Sequence, residues 1–320
     1  MRRLAATLLL ICATTHCVLS IFYVNTSYLD LHAYAHGAAP EPFQRRLLMV
    51  PILRWAESNH VLQAAAARYG TNVPQPEPMS AAKLACILLS LLLLNAFGLW
   101  TTRISEQLSI RHWWLLWALL LAILYASYGA RYEQGLWYPY DIPHLVFFGV
   151  ATVFILADRP LPFLAAFAVD APIRETSVFL IAVAAVVHIR SKSWRIAIAA
   201  SAVLWALIRL LAQHLYPNGP HQWNGLHWYT MIKPWHLPQL FSIAGFLWLP
   251  VWLGVKYLTR PERLALYAAT AMVFFTFFFA TWNETRAWSE WTVLFAILAA
   301  VQLERSFAAT NHSAANPLLR

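Results

Sequence analysis

Charge is what this chain has least of. Of its 320 residues, 12% are Asp, Glu, Lys or Arg and 60% are hydrophobic, whereas a soluble domain is about a quarter charged. That deficit excludes an ordinary water-soluble globular protein. Cysteine is scarce too: Cys12, Cys17 and Cys86 all lie in apolar segments, which excludes a disulfide framework and a cysteine-based zinc site. There is no internal repeat and no low-complexity tract. The net charge of +9 is read as a topology signal and as contact with anionic membrane lipids. It is not read as a nucleic-acid footprint.

What is present is apolar sequence in long runs, with a mean hydropathy of +0.53. A hydrocarbon core of about 30 Å takes about 20 helical residues. Candidate spans cover Leu4–Val24, Ala81–Trp100, Trp113–Tyr128, Ile142–Ala157, Trp194–Gln213, Leu237–Tyr257, Leu264–Ala280 and Trp291–Val301. The expectation is an all-α, polytopic transmembrane helical bundle of about nine to ten membrane segments. Residues 1–305 are expected to form a single transmembrane domain and 306–320 a flexible cytoplasmic tail. The 16 tryptophans fit aromatic belts at two interfaces.

Arg2 and Arg3 before the first run place the N-terminus in the cytoplasm. No small-residue cleavage site follows, so the run reads as an uncleaved span. Residues 25–80 then form an outer loop. Its stretch Phe43–Tyr69 mixes Leu47, Leu48, Val50, Ile52 and Leu53 with Arg45, Arg46 and Arg54, the pattern of a helix lying in the interface plane.

One segment breaks the pattern. Leu161–Ile189 is apolar at both ends and carries Asp170, Pro172, Arg174 and Glu175 in the middle. Ionisable groups at membrane depth cost at least roughly 2.5–3.5 kcal/mol each, so such a site is functional by default. Counting sides from the N-terminus puts Asp158-Arg159-Pro160 inside, and the basic loop His188–Arg195 belongs inside as well. A hairpin of two short helices over 161–189 satisfies both; one tilted, Pro-kinked span is the alternative.

On this topology the outer segments gather Asp30, Arg45, Arg46, Asp141, Arg174, Glu175, His221, Glu284 and Arg286. Carboxylates can accept protons, and arginines give bidentate clamps for phosphate. Plainer roles stand beside these. Asp141 suits a helix N-terminus, Arg45 and Arg46 suit lipid headgroups, and Glu284 and Arg286 suit a local ion pair. The histidines show no recognisable ligand spacing, so no metal site is assigned and a divalent metal is left open.

Several of these elements resemble the GT-C glycosyltransferase superfamily. They are an acidic residue after the first span (Asp30), Pro42-Phe-Gln-Arg-Arg-Leu-Leu-Met-Val-Pro51, Tyr140-Asp-Ile-Pro143, Arg174-Glu-Thr176 and Glu284-Thr-Arg286. The resemblance implies a multi-pass enzyme of the bacterial inner membrane. It would take a sugar from a polyprenyl-phosphate donor to a glycan or lipid acceptor on the outer face. Asp30 would be the catalytic base, and the other eight residues would bind substrate. Asp30 stands alone, without the second acidic residue that paired motifs carry. A transporter or lipid flippase, and a non-catalytic subunit of an envelope assembly complex, are the competing readings.

Overall fold

The computed structural model describes residues 2–70, 77–128, 135–217, 246–277 and 290–315. They are overwhelmingly helical. In chain order the helices are α1 (Arg2–Val24), α2 (Leu31–Ala35), α3 (Met49–Ser58), α4 (His60–Gly70), α5 (Ala81–Ile104), α6 (Leu115–Tyr128) and α7 (Asp141–Leu156). They continue as α8 (Pro160–Asp170), α9 (Val178–His188), α10 (Lys192–Leu215), α11 (Trp248–Leu253), α12 (Arg260–Phe277) and α13 (Thr292–Ala315). A parallel two-residue ladder joins β1 (Thr26–Ser27) to β2 (Leu136–Trp137), tying the exit of α1 to the entry of α7.

Among the described residues, three helices are long and apolar enough to cross a membrane: α1 from Arg3, α5 and α10. Their outward faces carry large apolar side chains. On α10, Ile196, Val203, Leu207, Leu210 and Leu211 are all exposed and fall on one helical stripe. Water would penalise such a surface and lipid does not, so length and surface together fit a membrane protein.

Helices α5, α6, α7 and α13 pack around a shared apolar core, with α1 laid over α5 and α6. Close approach of α5 and α6 depends on Gly98. A Cβ there would lie 2.1 Å from the Trp117 ring, and the Trp117 indole donates to Thr14 Oγ1 at 3.0 Å on α1. Small residues at such contacts let helix backbones approach.

Most expected spans match helices, with three differences. The single amphipathic helix expected over Phe43–Tyr69 is a 3-10 turn at Phe43–Arg45 followed by two helices, α3 and α4. Asn59 takes an extended backbone between them, and its side chain accepts from the Val61 and Leu62 N–H groups. That is an N-cap, which starts α4 afresh. The expected tail from Ser306 begins as a continuation of α13, which runs to Ala315. In the run expected over Leu237–Tyr257, the described part is the short α11 and a 3-10 turn, Val255–Tyr257. The rest of that run lies outside the described residues.

The segment 161–189 is a hairpin. Helix α7 ends with Asp158 at φ 56, Arg159 N–H on the Phe154 carbonyl and Asp158 N–H on the Ile155 carbonyl, a Schellman stop. Pro160 then opens α8, where its missing N–H is harmless. At the other end of the segment, His188 lies 2.7 Å from the Ile155 carbonyl and stacks on Trp194. Trp194 in turn donates to Asp158 Oδ1 at 2.5 Å. The two ends of the segment therefore lie side by side.

Helix α10 measures the depth of the tip. Trp194 marks the base of the hairpin, whereas Arg209 Nη2 donates to the Ala171 carbonyl at 2.6 Å and Trp205 Nε1 to the Glu175 carbonyl at 3.0 Å. Fifteen residues from Trp194 to Arg209 rise about 22 Å, and α10 continues for about 9 Å more to Leu215. The tip therefore stops short of the end of α10.

Candidate functional site

The tip of the hairpin is built by a proline. Pro172 has no N–H and cannot continue a helix, so α8 ends and carbonyls are freed. Side chains and a neighbouring segment take them up: Arg209 on Ala171, Trp205 on Glu175, and the Leu48 N–H on Pro172 at 3.2 Å. Buried backbone groups require such partners. Leu48 belongs to the segment between α2 and α3, so the same bond docks residues 43–50 against the tip.

Docking brings Arg46 to Glu175. Arg46 Nε donates to Oε2 at 3.0 Å and Nη2 to Oε1 at 2.5 Å, a bidentate pair of the stronger, charge-assisted kind. The guanidinium is buried and lies 4.3 Å from the Tyr140 ring centroid and 5.2 Å from that of Phe43. The Arg46 carbonyl accepts from the Tyr34 phenol. Burial pushes that phenol well above its ordinary value, so it remains a neutral donor.

Beside this pair lies a second, more deeply buried group. His144 Nδ1 is 2.8 Å from Asp170 Oδ1. Its Nε2 is 3.3 Å from Thr176 Oγ1 and 3.6 Å from Glu290 Oε1. Thr176 donates to Glu290 at 2.6 Å, and Arg174 Nη1 sits 3.1 Å from the same oxygen. His144, Asp170 and Glu290 are wholly buried. The group joins the first turn of α7, the end of α8, the tip and the entry to α13.

Its polar capacity is not used up. Asp170 Oδ2, Glu290 Oε2, Arg174 Nε and the Tyr140 hydroxyl are buried without a hydrogen-bond partner among the described residues. Arg174 Nη1 belongs with them: it is close to Glu290 but off the hydrogen-bonding direction. Leaving such a group unpaired costs about 1–3 kcal/mol. Several in one place call for partners beyond the described residues, whether ligand, water or chain.

The expected residues divide. Arg46, Arg174 and Glu175 come together at the tip. Asp141 is buried nearby, its Oδ2 accepting from the Tyr138 N–H at 3.1 Å and the Tyr128 hydroxyl at 3.0 Å. Arg45 is drawn away, pairing with Glu41 at 2.6 Å. Asp30 is exposed and caps α2, its Oδ1 accepting from the His32 and Ala33 N–H groups. Its link to the cluster is indirect: Tyr34, one turn along α2, bonds to Arg46. His221, Glu284 and Arg286 lie outside the described residues.

Sequence reasoning passed over His144, Glu290, Trp205 and Arg209. His144 and Arg209 carried a signal, since each is an ionisable residue inside an apolar helix. Glu290 stands just before an apolar run, and nothing in its position sets it apart. The chain matches no protein-family profile, no curated protein and no solved structure.

Proposed function

We propose that this chain is a multi-pass membrane glycosyltransferase of GT-C type. It would transfer a sugar from a polyprenyl-phosphate donor to a glycan or lipid acceptor on the outer face of a bacterial inner membrane. The full bundle would comprise about nine to ten membrane segments with a cytoplasmic N-terminus. The observation that carries the reading is the buried cluster at the hairpin tip. There Arg46, Arg174, Glu175, His144, Asp170 and Glu290 converge from distant parts of the chain, with several polar atoms unpaired.

The reaction needs cationic stabilisation of a phosphate leaving group. Arg46 and Arg174 supply it by turning from their carboxylates to the phosphate, and Glu175 and Glu290 hold them in place until then. The rings of Tyr138 and Tyr140, 5.2 Å apart, give an aromatic wall for the sugar. Asp30 uses one oxygen to cap α2 and keeps the other for the acceptor hydroxyl, acting as general base. Attack on the anomeric carbon then inverts its configuration.

Transfer of radiolabelled sugar from lipid phosphate, measured in membranes, tests this. Asp30→Asn and Arg174→Ala proteins that insert normally should lose transfer. Wild-type rates from both would remove the assignment. The pairing of His144 with Asp170 beside a broken helix favours a second reading, proton-coupled transport, since transporters build their sites at such breaks. Substrate flux into proteoliposomes without covalent product would select it.

A further inference from the structure

Away from the hairpin tip, helix α2 and helix α3 place three ligating side chains together. His32 and His36 stand four residues apart, so their rings rise from one face of the α2 turn with centroids 4.3 Å apart. Glu57, near the end of α3, reaches them from the opposite wall. Its Oε2 is 3.2 Å from His32 Nδ1 and 3.6 Å from His36 Nδ1. One ligand atom from each residue lies within 4.8 Å of the others. We propose that His32, His36 and Glu57 form a binding site for a divalent transition-metal ion of the zinc class.

The spacing fits the ion. Two ligands held about 2.0–2.2 Å from one tetrahedral ion lie about 3.3–3.6 Å apart. The two imidazole–carboxylate distances fall close to that edge length, whereas calcium and magnesium ask for oxygen ligands. Imidazole with carboxylate suits zinc, nickel or copper. Two His and one Glu leave a fourth position for water or a ligand, the open arrangement of reactive zinc sites.

The scaffold holds the donors before any ion arrives. Asp30 caps α2 and fixes the turn that carries both imidazoles. Arg54 lines the same cleft, but its Nε and Nη2 are both spent on the Ala35 carbonyl, at 3.2 and 2.9 Å. It therefore locks α3 to α2 and leaves Glu57 to the histidines. His36 Nδ1 also lies 3.0 Å from the His32 carbonyl. Coordination through Nδ1, the atom whose 3.6 Å spacing to Glu57 fits the ion, exchanges that contact for the metal.

The site stands independently of the transferase reading. The test uses the full chain without a histidine tag, purified in detergent, stripped with EDTA and titrated with Co²⁺, with Zn²⁺ as competitor. One equivalent should saturate a visible absorption band of tetrahedral cobalt, and Zn²⁺ should bleach it. His32→Ala and Glu57→Gln should each weaken uptake by more than about tenfold, a loss reached even for outer-shell partners. The His32 side chain is 76% exposed, so its removal leaves the fold intact, which the elution profile checks. Should that variant aggregate, Glu57→Gln, which keeps size and a carbonyl oxygen, carries the same comparison. Absence of saturable uptake by the wild-type chain, or unchanged uptake by the folded variants, overturns the proposal and leaves an ion-pair cluster.

Discussion

Arg46 and Glu175 stand 129 residues apart in the chain and are joined by two parallel hydrogen bonds. The pair fastens the segment between α2 and α3 to the hairpin tip. Its strength depends on both ends. The Arg46 side chain is 6% exposed, while that of Glu175 is 34% exposed, so loss of the arginine strands a carboxylate that water can partly reach.

Arg46→Ala should therefore lower stability by about 1–3 kcal/mol, below the full penalty for breaking a wholly buried pair. Glu175→Ala strands the more deeply buried partner and should cost more. The double variant should lose less than the sum of the singles, because neither charge is then left alone. Thermal unfolding in detergent measures all three. Strict additivity would show that the two side chains act independently.

The His144–Asp170 pair is wholly buried, so no solvent softens its loss. Asp170→Ala should cost more than about 3 kcal/mol. Asp170→Asn retains an oxygen for His144 and should recover most of that loss. Unfolding midpoints of the two variants decide the matter. Equal destabilisation would mean that charge, not hydrogen bonding, holds the pair.

The hairpin makes a topological prediction. Cysteines introduced at Asp158 and Ser191, on a background lacking Cys12, Cys17 and Cys86, should react with a membrane-impermeant maleimide from the same side. Inverted and right-side-out vesicles distinguish the sides. Opposite labelling would replace the hairpin by a single crossing.

Gly98 makes a packing prediction. With Trp117 2.1 Å from an added Cβ, Gly98→Ala should push α5 from α6 and cost about 1–3 kcal/mol. Combining it with Trp117→Phe should return part of that loss, since the smaller ring vacates the space. Unfolding midpoints of the single and paired variants test this. A neutral Gly98→Ala would mean that the helices shift freely.

Much of the fold was legible in the sequence because it rests on local signals. Apolar runs marked α1, α5, α6, α7 and α10, and the charged break at Asp170–Glu175 with Pro172 marked a hairpin. Breaks set by capping were harder to see. Asn59 divides what reads as one amphipathic helix because its side chain can bond two N–H groups of the next turn. Composition does not register that choice.

The cluster was legible only in part. Arg46, Arg174, Glu175 and Asp141 were picked out by charge against an apolar background, but which groups pair was not legible. Arg45 and Arg46 are neighbours of the same type. Nothing in their order says that one turns back to Glu41 while the other crosses to the hairpin. Backbone direction at the Phe43–Arg45 turn decides it. Asp30 likewise reads as a free acid until α2 is seen to start on it.

The sequence by itself determined that the chain is apolar and helical, and that one apolar segment is broken by charged residues. Each of those properties follows from residue type and spacing along a helix. The tertiary structure alone decided which charges meet. Pairing depends on where α7, α8, α10 and α13 cross, and those crossings are set by side-chain packing, as between Gly98 and Trp117, between residues far apart in the chain. His144, Glu290 and Glu57 gain their partners only there, where packing brings each within bonding distance of a group that the linear order does not indicate.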